Sequence, residues 1–141
     1  MKFAKLMIAL TLTISPLLAA AQLSTSDRIR TTVPFEFIVA GRSVPAGECD
    51  VQTNNMQGSI LRISSGTSKV NLLSSVSPFE TESISHDYAL VFYRYGDHYF
   101  LRGVKVEGTR IVYTLPESKV EKEIRAQNLP VTEKILVASR Q

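Results

Sequence analysis

One hairpin pattern near the middle of the chain constrains the fold more than any other feature. Residues 88–95 and 98–106 are two runs rich in aromatic and β-branched side chains, and Gly96-Asp97 joins them. Glycine at the first position of such a two-residue turn supplies the positive φ that a type II′ hairpin needs. One face of the hairpin then carries an apolar row suited to a core: Leu90, Phe92, Tyr99, Leu101 and Val104.

The opposite face of this hairpin is also aromatic and apolar, with Val91, Tyr93, Tyr95, His98, Phe100 and Arg102. Both faces therefore need to be covered. Either the hairpin is a central strand pair between two layers of the fold, or a partner covers its far face. The candidate partner contacts are Tyr93, Tyr95, His98, Phe100 and Arg102. The register also sets Arg94 opposite Tyr99, which predicts a cation–π contact between them.

Shorter strand patterns precede and follow the hairpin. Residues 31–39 alternate with the period of a strand, and residues 44–53 place Cys49 and Val51 on one face. Residues 60–63 with 70–73, and residues 108–115, add further short strands, whereas the serine-rich and acidic stretch 74–87 predicts a surface loop. The chain is therefore predicted to be mainly β, an antiparallel β-sandwich or small open β-barrel of about seven strands with one C-terminal helix.

Residues 117–128 are the helical candidate. Thr114 or Ser118 can cap the helix, with Glu117 or Glu121 three residues further on. Val120 and Ile124 lie four residues apart on one side, and Glu121 can pair with Arg125. An isolated helix of this length is marginal in water, so we expect it to dock on the aromatic far face of the hairpin. Residues 129–141 are predicted to form a tail or an edge strand.

The amino terminus has the pattern of a secretory signal peptide at residues 1–21. Lys2 and Lys5 precede an apolar run, which ends in Ala19, Ala20 and Ala21. The run is short and contains a proline, so no membrane span is expected after cleavage. The sequence predicts export to the periplasm or the extracellular space, a flexible leader at residues 22–30 and a single domain at residues 31–128.

The charge of the exported chain argues against nucleic-acid binding. Cleavage after residue 21 of 141 leaves 120 residues, and the loss of two lysines reduces 16 basic side chains to 14, against 13 acidic ones. A nearly neutral domain without a basic stripe lacks the electrostatic footprint of a nucleic-acid-binding protein. We therefore expect an envelope or extracellular partner.

Cys49 is the one cysteine of the chain, so no internal disulfide can form. It lies between Glu48 and Asp50, and two neighbouring carboxylates oppose the thiolate that a catalytic or redox cysteine needs. The residues favour a buried, unreactive cysteine. The alternative is a disulfide that links two copies of the chain into a homodimer through Cys49.

The two histidines offer little for catalysis. If residues 88–95 form one strand, His86 and His98 lie near its opposite ends, about 30 Å apart at roughly 3.3 Å per residue, too far to share a metal ion. Since no Gly-x-Ser-x-Gly motif is present, we predict no catalytic, cofactor-binding or metal-binding residues. The predicted function is an exported non-enzymatic binding or structural module; the alternative is a small secreted hydrolase or metal-dependent enzyme using His86 or His98.

Several short motifs resemble a family of small exported bacterial β-proteins without an established activity. The motifs are Val33-Pro34-Phe35-Glu36-Phe37, Val44-Pro45-Ala46-Gly47-Glu48, Arg94-Tyr95-Gly96-Asp97 with Tyr99-Phe100-Leu101, and Leu115-Pro116-Glu117-Ser118. The resemblance implies export and a β fold, and it implies no cofactor or catalytic residue. Cys49 departs from the family pattern, which has an aromatic residue there, and its smaller side chain leaves room near Val51.

Overall fold

The computed structural model describes residues 28–54 and 60–140; the predicted signal peptide and the first part of the predicted leader, residues 22–27, lie outside the described residues. Strands make up 59% of the structure, which has two sheets, eleven strands in the described ranges and one short helix, so the predicted β-sandwich-like fold is confirmed, with more strands than the seven or so predicted. The strands are β1 Arg28–Val33, β2 Phe37–Val39, β3 Arg42–Val44, β4 Gly47–Asn54, β5 Ile60–Ser65, β6 Asn71–Ser75, β7 Ser77–Glu80, β8 Tyr88–Tyr95, β9 His98–Lys105, β10 Ile111–Thr114 and β11 Val131–Arg140. The helix α1 spans Lys119–Arg125.

Two sheets face each other across the core. The N-terminal sheet consists of β1, β4, β5 and β6, in that order and antiparallel. The hairpin sheet has the order β3-β2-β9-β8-β11, and β10 and β7 continue it beyond the second half of β9. Its neighbouring strands are antiparallel except β2 and β9, which pair in parallel at Ile38 and Phe100.

The chain passes from one sheet to the other at three corners, as strands do where two sheets share continuous segments. At the first, residues 34–36, which begin with Pro34, separate β1 in the N-terminal sheet from β2 in the hairpin sheet. At the second, Val76 alone separates β6 from β7. At the third, β11 runs beside β8 along Val131–Ala138 and then reaches β1 with Ser139 and Arg140.

The core lies between the inner faces of the two sheets. Leu90, Phe92, Leu101 and Val104 of the predicted row are at most 2% exposed, and Tyr99 packs against them while half-buried. The N-terminal sheet contributes side chains of the same kind: Ile29, Val33, Cys49, Val51, Leu61 and Ile63. The predicted core face of the hairpin is therefore confirmed.

A β-bulge explains how Leu101 and Val104, three residues apart, share one face. The predicted register holds from Tyr95 opposite His98 to Phe92 opposite Leu101, but Val91 then pairs with Gly103. Arg102 is the extra residue, and a bulge of this kind shifts the alternation of side chains and redirects the bulged residue. The bulge thus returns Val104 to the core and leaves Arg102 on the outer face.

The structure corrects several boundaries. The single strand predicted at residues 31–39 is two strands, because the chain crosses between sheets at Pro34, and β1 begins at Arg28, inside the predicted leader. Residues 74–87 are not entirely loop, since β7 pairs with β10. Residues 129–141 contain β11, which pairs with β8 along Val131–Ala138 and reaches β1 only at Ser139 and Arg140, so they form a strand at the edge of the hairpin sheet and not a tail. The helix is shorter than residues 117–128.

Candidate functional site

The helix docks on the outer face of the hairpin sheet through a buried carboxylate. Glu121 is 1% exposed, although glutamate is almost never fully buried without a partner. The Tyr95 hydroxyl donates a hydrogen bond of 3.2 Å to its Oε1, and Nη1 of Arg102 donates one of 2.9 Å to its Oε2. Burial and the nearby carboxylate of Glu121 raise the pKa of Tyr95 above its usual value. These contacts join α1 to both strands of the central hairpin.

The local sequence positions Glu121 for this contact. Ser118 caps the helix, as predicted, and its Oγ accepts a hydrogen bond of 3.2 Å from the Glu121 amide. The predicted apolar stripe is wrong in part, because Val120 is 39% exposed. The predicted pair between Glu121 and Arg125 is also wrong: Arg125 pairs with Glu117 at 3.2 Å, while Glu121 turns towards the sheet.

α1 contacts Tyr95 and Arg102, two of the five residues that the sequence predicts as a partner contact. Tyr95 and Phe100 are at most 4% exposed and meet edge to face, with ring centroids 5.8 Å apart. Arg102 is engaged with Glu121, and its guanidinium lies 5.4 Å from the ring centroid of half-buried Tyr93. His98 stays exposed. The predicted set is therefore brought together, but Tyr95, Phe100 and Arg102 serve the fold and are not open to a partner.

The open part of the outer face belongs to β11. Its register places Val131 beside Tyr95, Glu133 beside Tyr93, Ile135 beside Val91 and Val137 beside Ala89. Directly opposite residues of an antiparallel pair share a face, so these four side chains continue the outer face past the helix. Val131 is 55% exposed, Ile135 46% and Val137 63%. We call Val131, Glu133, Ile135 and Val137 the β11 outer row.

A shallow groove of about 310 Å³ adjoins this row. One wall is the loop at residues 81–87, with Ile84 51% exposed, and the other wall is Ile135 and Val137. The loop is fixed to the β9–β10 turn by backbone hydrogen bonds of 2.8 Å, from the Ser85 amide to Thr109 and from the Gly108 amide to Ser85. The groove thus has a firmly held wall, and the polar residues His86, Asp87 and Lys105 complete its lining.

The sequence does not reveal the β11 outer row, because the pattern of residues 129–141 predicts a tail or an edge strand without a neighbour. The alternation of Val131, Ile135 and Val137 with polar or inward-facing residues was the available signal. That pattern gives a face but not the neighbour strand, and it is the pairing with β8 that makes the row part of a larger surface.

A second cluster lies where the turn end of the hairpin meets the first corner. Phe35 stacks on Tyr99 with ring centroids 3.8 Å apart. The guanidinium of Arg94 lies 5.4 Å from the Tyr99 ring centroid, which confirms the predicted cross-strand contact. Lys134 Nζ is 5.0 Å from the Phe35 ring centroid. The cluster closes one end of the core with aromatic rings and leaves its cations at the surface.

The chemistry of the remaining candidates is limited. His86 precedes β8 and His98 begins β9, so the two exposed histidines lie near opposite ends of β8. Within residues 28–54 and 60–140, no three His, Cys, Asp or Glu side chains are grouped so that they could hold a metal ion. Burial, and then the charge of Asp50, raises the pKa of Cys49 to about 12. Its thiol is free and 1% exposed, so a second copy cannot reach it without local opening.

In the part of the chain that the structure describes, no helix is long and apolar enough to cross a bilayer. Comparison of the chain with protein-family models, with curated proteins and with solved structures gives no match.

Proposed function

We propose that this chain is an exported, non-enzymatic binding module of the cell envelope or extracellular space, and that the β11 outer row is its contact surface. The observation that carries the proposal is the exposure of Val131, Ile135 and Val137, each about half exposed or more, on a strand that is hydrogen-bonded into the hairpin sheet. Contiguous apolar patches on a folded protein mark interaction sites more often than they mark solvated surface.

The neighbouring part of the same face supports this assignment. Tyr95, which α1 reaches through Glu121, is 4% exposed, and Ala89, which lines the groove with the loop at residues 81–87, is also 4% exposed. Val91 between them is 7% exposed. Within residues 28–54 and 60–140, the fold therefore covers the outward-facing apolar residues of β8 but not those of β11 one strand away. A partner that extends this cover by one strand width would bury the β11 outer row.

The sequence supports export of the protein. A charged start, a short apolar run and small residues before Gln22 are the features that an export signal peptidase recognises. A single buried cysteine is compatible with an oxidising compartment, because it forms no unwanted disulfide there.

The test is site-specific photo-crosslinking in the cells that make the protein. A photoreactive phenylalanine derivative is placed at position 135 and, as the matched control, at position 73, since Leu73 is 66% exposed on the N-terminal sheet. We expect one adduct of defined mass from position 135 and none from position 73. Equal adducts from both positions, or none from position 135, would overturn the contact surface.

Cell fractionation and the mature amino terminus test export in the same sample, and an intact Met1 in the cytoplasm would contradict it.

A further inference from the structure

The backbone of β11 has an edge that the described chain leaves largely unpaired. One side of the strand pairs with β8 over Val131–Ala138, whereas its described pairing with β1 is confined to Ser139 and Arg140. In an antiparallel ladder every second residue turns both its N–H and its C=O away from a given neighbour. Along 131–138 this places four N–H and four C=O groups on the edge away from β8, with no strand of the described residues bonded to them.

We propose that the partner supplies an extended polypeptide segment, which adds to this edge as a further strand of the hairpin sheet. The inference rests on the proposed function, because an added strand lies directly beside the β11 outer row. Its backbone satisfies the unpaired groups, and its alternate side chains cover Val131, Ile135 and Val137. Strand addition of this kind gives affinity through the main chain and specificity through alternate side chains.

The charges on the edge specify the side chains of that segment. Glu133 lies on the outer face between Val131 and Ile135, and Lys134 lies on the other face. Among the described residues, neither Glu133 nor Lys134 has an oppositely charged group within 4.0 Å. An opposite charge directly across a strand pair is stabilising, and a like charge is destabilising. The complementary strand has a basic residue between apolar ones on its outer face and an acidic residue on the other.

The same charges disfavour a second copy of this chain as the occupant. Two copies of β11 that pair antiparallel about a twofold axis perpendicular to the sheet place residues of equal parity opposite each other. The registers that use most of the free edge are centred on Lys134 or on Ile135. The first brings two ammonium groups face to face, and the second sets Glu133 opposite Val137 and Lys134 opposite Leu136, so that neither charge gains a counter-charge. Charged residues on an edge strand commonly serve to prevent such self-pairing.

Synthetic heptapeptides and the full mature chain test the proposal. The probe Val-Thr-Val-Asp-Lys-Thr-Val, laid antiparallel to β11, sets Val opposite Val137, Val opposite Ile135, Asp opposite Lys134, Lys opposite Glu133 and Val opposite Val131. One control peptide exchanges Asp and Lys. Two further control peptides carry N-methyl groups on alternate residues, one on the odd-numbered residues and the other on the even-numbered residues, which are the two possible phases. We expect the probe to bind, the exchanged peptide to bind about fivefold more weakly, and the N-methylated peptide of one phase not to bind.

A protein variant with the two charges of β11 exchanged tests the same charge pairing without relying on a single peptide. In the double variant Glu133→Lys with Lys134→Glu, both positions are exposed, and the preference between the two heptapeptides should reverse. Amide exchange by NMR should show four alternate amides of β11 slowing when the probe binds.

The outcomes separate the two proposals. The added strand is overturned if N-methylation in either phase leaves heptapeptide binding unchanged. It is also overturned if position 135 crosslinks but no heptapeptide binds. In both cases the contact surface stands. Concentration-dependent dimerisation through β11 would replace the peptide partner with a second copy. Loss of both the crosslink and peptide binding overturns both proposals.

Discussion

Arg102 and Glu121 form the ion pair that fixes the helix to the sheet, with Nη1 of Arg102 2.9 Å from Oε2 of Glu121. The arginine is the extra residue of the β9 bulge, and the glutamate is the third residue of the capped helix. The ion pair therefore joins a bulged residue of β9 to a residue in the first turn of α1, 19 positions away in the sequence. Arg102 and Val104 are two positions apart, so regular alternation would place both side chains on the same face. The bulge allows Val104 to lie in the core while Arg102 lies on the outer face.

We expect Glu121→Ala to lower the free energy of unfolding by about 3 kcal/mol, because it leaves a partly buried guanidinium without its counter-charge. The measure is urea unfolding followed by circular dichroism. The control is Arg125→Ala, which breaks the pair with Glu117 at a position where the arginine is 61% exposed, and should cost about 0.5 kcal/mol. A loss below 1 kcal/mol for Glu121→Ala would show that the buried pair contributes little.

The stability contributed by Asp50 should disappear in acid. Hydrogen bonding to Arg30 in the first place, and the contact with Arg28, hold the pKa of Asp50 below its usual range. A carboxylate with a lowered pKa in the folded state stabilises the fold above its unfolded pKa of about 3.9, and this contribution is lost as pH falls below that value. The difference in unfolding free energy between the natural chain and Asp50→Asn should be clear at pH 7 and shrink towards pH 2. A difference that is constant with pH would contradict this origin.

The Cys49 thiol should be unreactive while the protein is folded. With a pKa of about 12 and 1% exposure, it carries almost no thiolate at neutral pH and is shielded from reagents. Iodoacetamide at pH 8 should label the chain only in denaturant, which mass spectrometry of intact protein detects. A non-reducing gel of the exported protein should show no dimer, and a disulfide-linked dimer would instead support the alternative that the sequence left open.

The β8–β9 turn should depend on Gly96. Its φ of +60° is unfavourable for residues with a side chain, so Gly96→Ala is expected to cost about 1 kcal/mol in unfolding free energy. Gly66→Ala is the matched control, because no atom lies within 4 Å of the added methyl group and the backbone there has no positive φ. If both changes have the same effect on the urea midpoint, the positive φ of Gly96 is not a constraint.

Local pattern was sufficient for the hairpin and its core row, because turn chemistry and alternation fix which residues face each other within a few positions. Register, turn and the contact of Arg94 with Tyr99 all agree with the sequence. The position of β11 depends on pairing with β8, some 40 positions away, which no local pattern encodes. The pattern of residues 129–141 therefore allows a strand but does not predict its neighbour.

The candidate site shows the same limit. The sequence predicts that the helix covers the aromatic far face, but it predicts an apolar residue as the one that makes the contact. Amphipathicity favoured Val120, whereas the cap at Ser118 and the cation exposed by the bulge favoured Glu121. The sequence predicts the outward position of Arg102 correctly. A bulge is a local disruption of the ladder that needs the partner strand to be seen, so the return of Val104 to the core beyond Arg102 is explained only by the pairing with β8.

The β11 outer row should be dispensable for folding. In the double variant Ile135→Thr with Val137→Thr, each substitution should change the free energy of unfolding by about 0.5 kcal/mol or less, since both side chains are 46% or more exposed. Ile63→Thr, at a fully buried position, should by contrast cost about 2 kcal/mol or more, because it removes apolar contacts and buries a hydroxyl. Thermal and urea unfolding provide the comparison, and photo-crosslinking from position 84 provides the functional readout, which should fall in the double variant. A large loss of stability in the double variant would mean that the chain itself covers this row, and the contact surface would then have to be sought elsewhere.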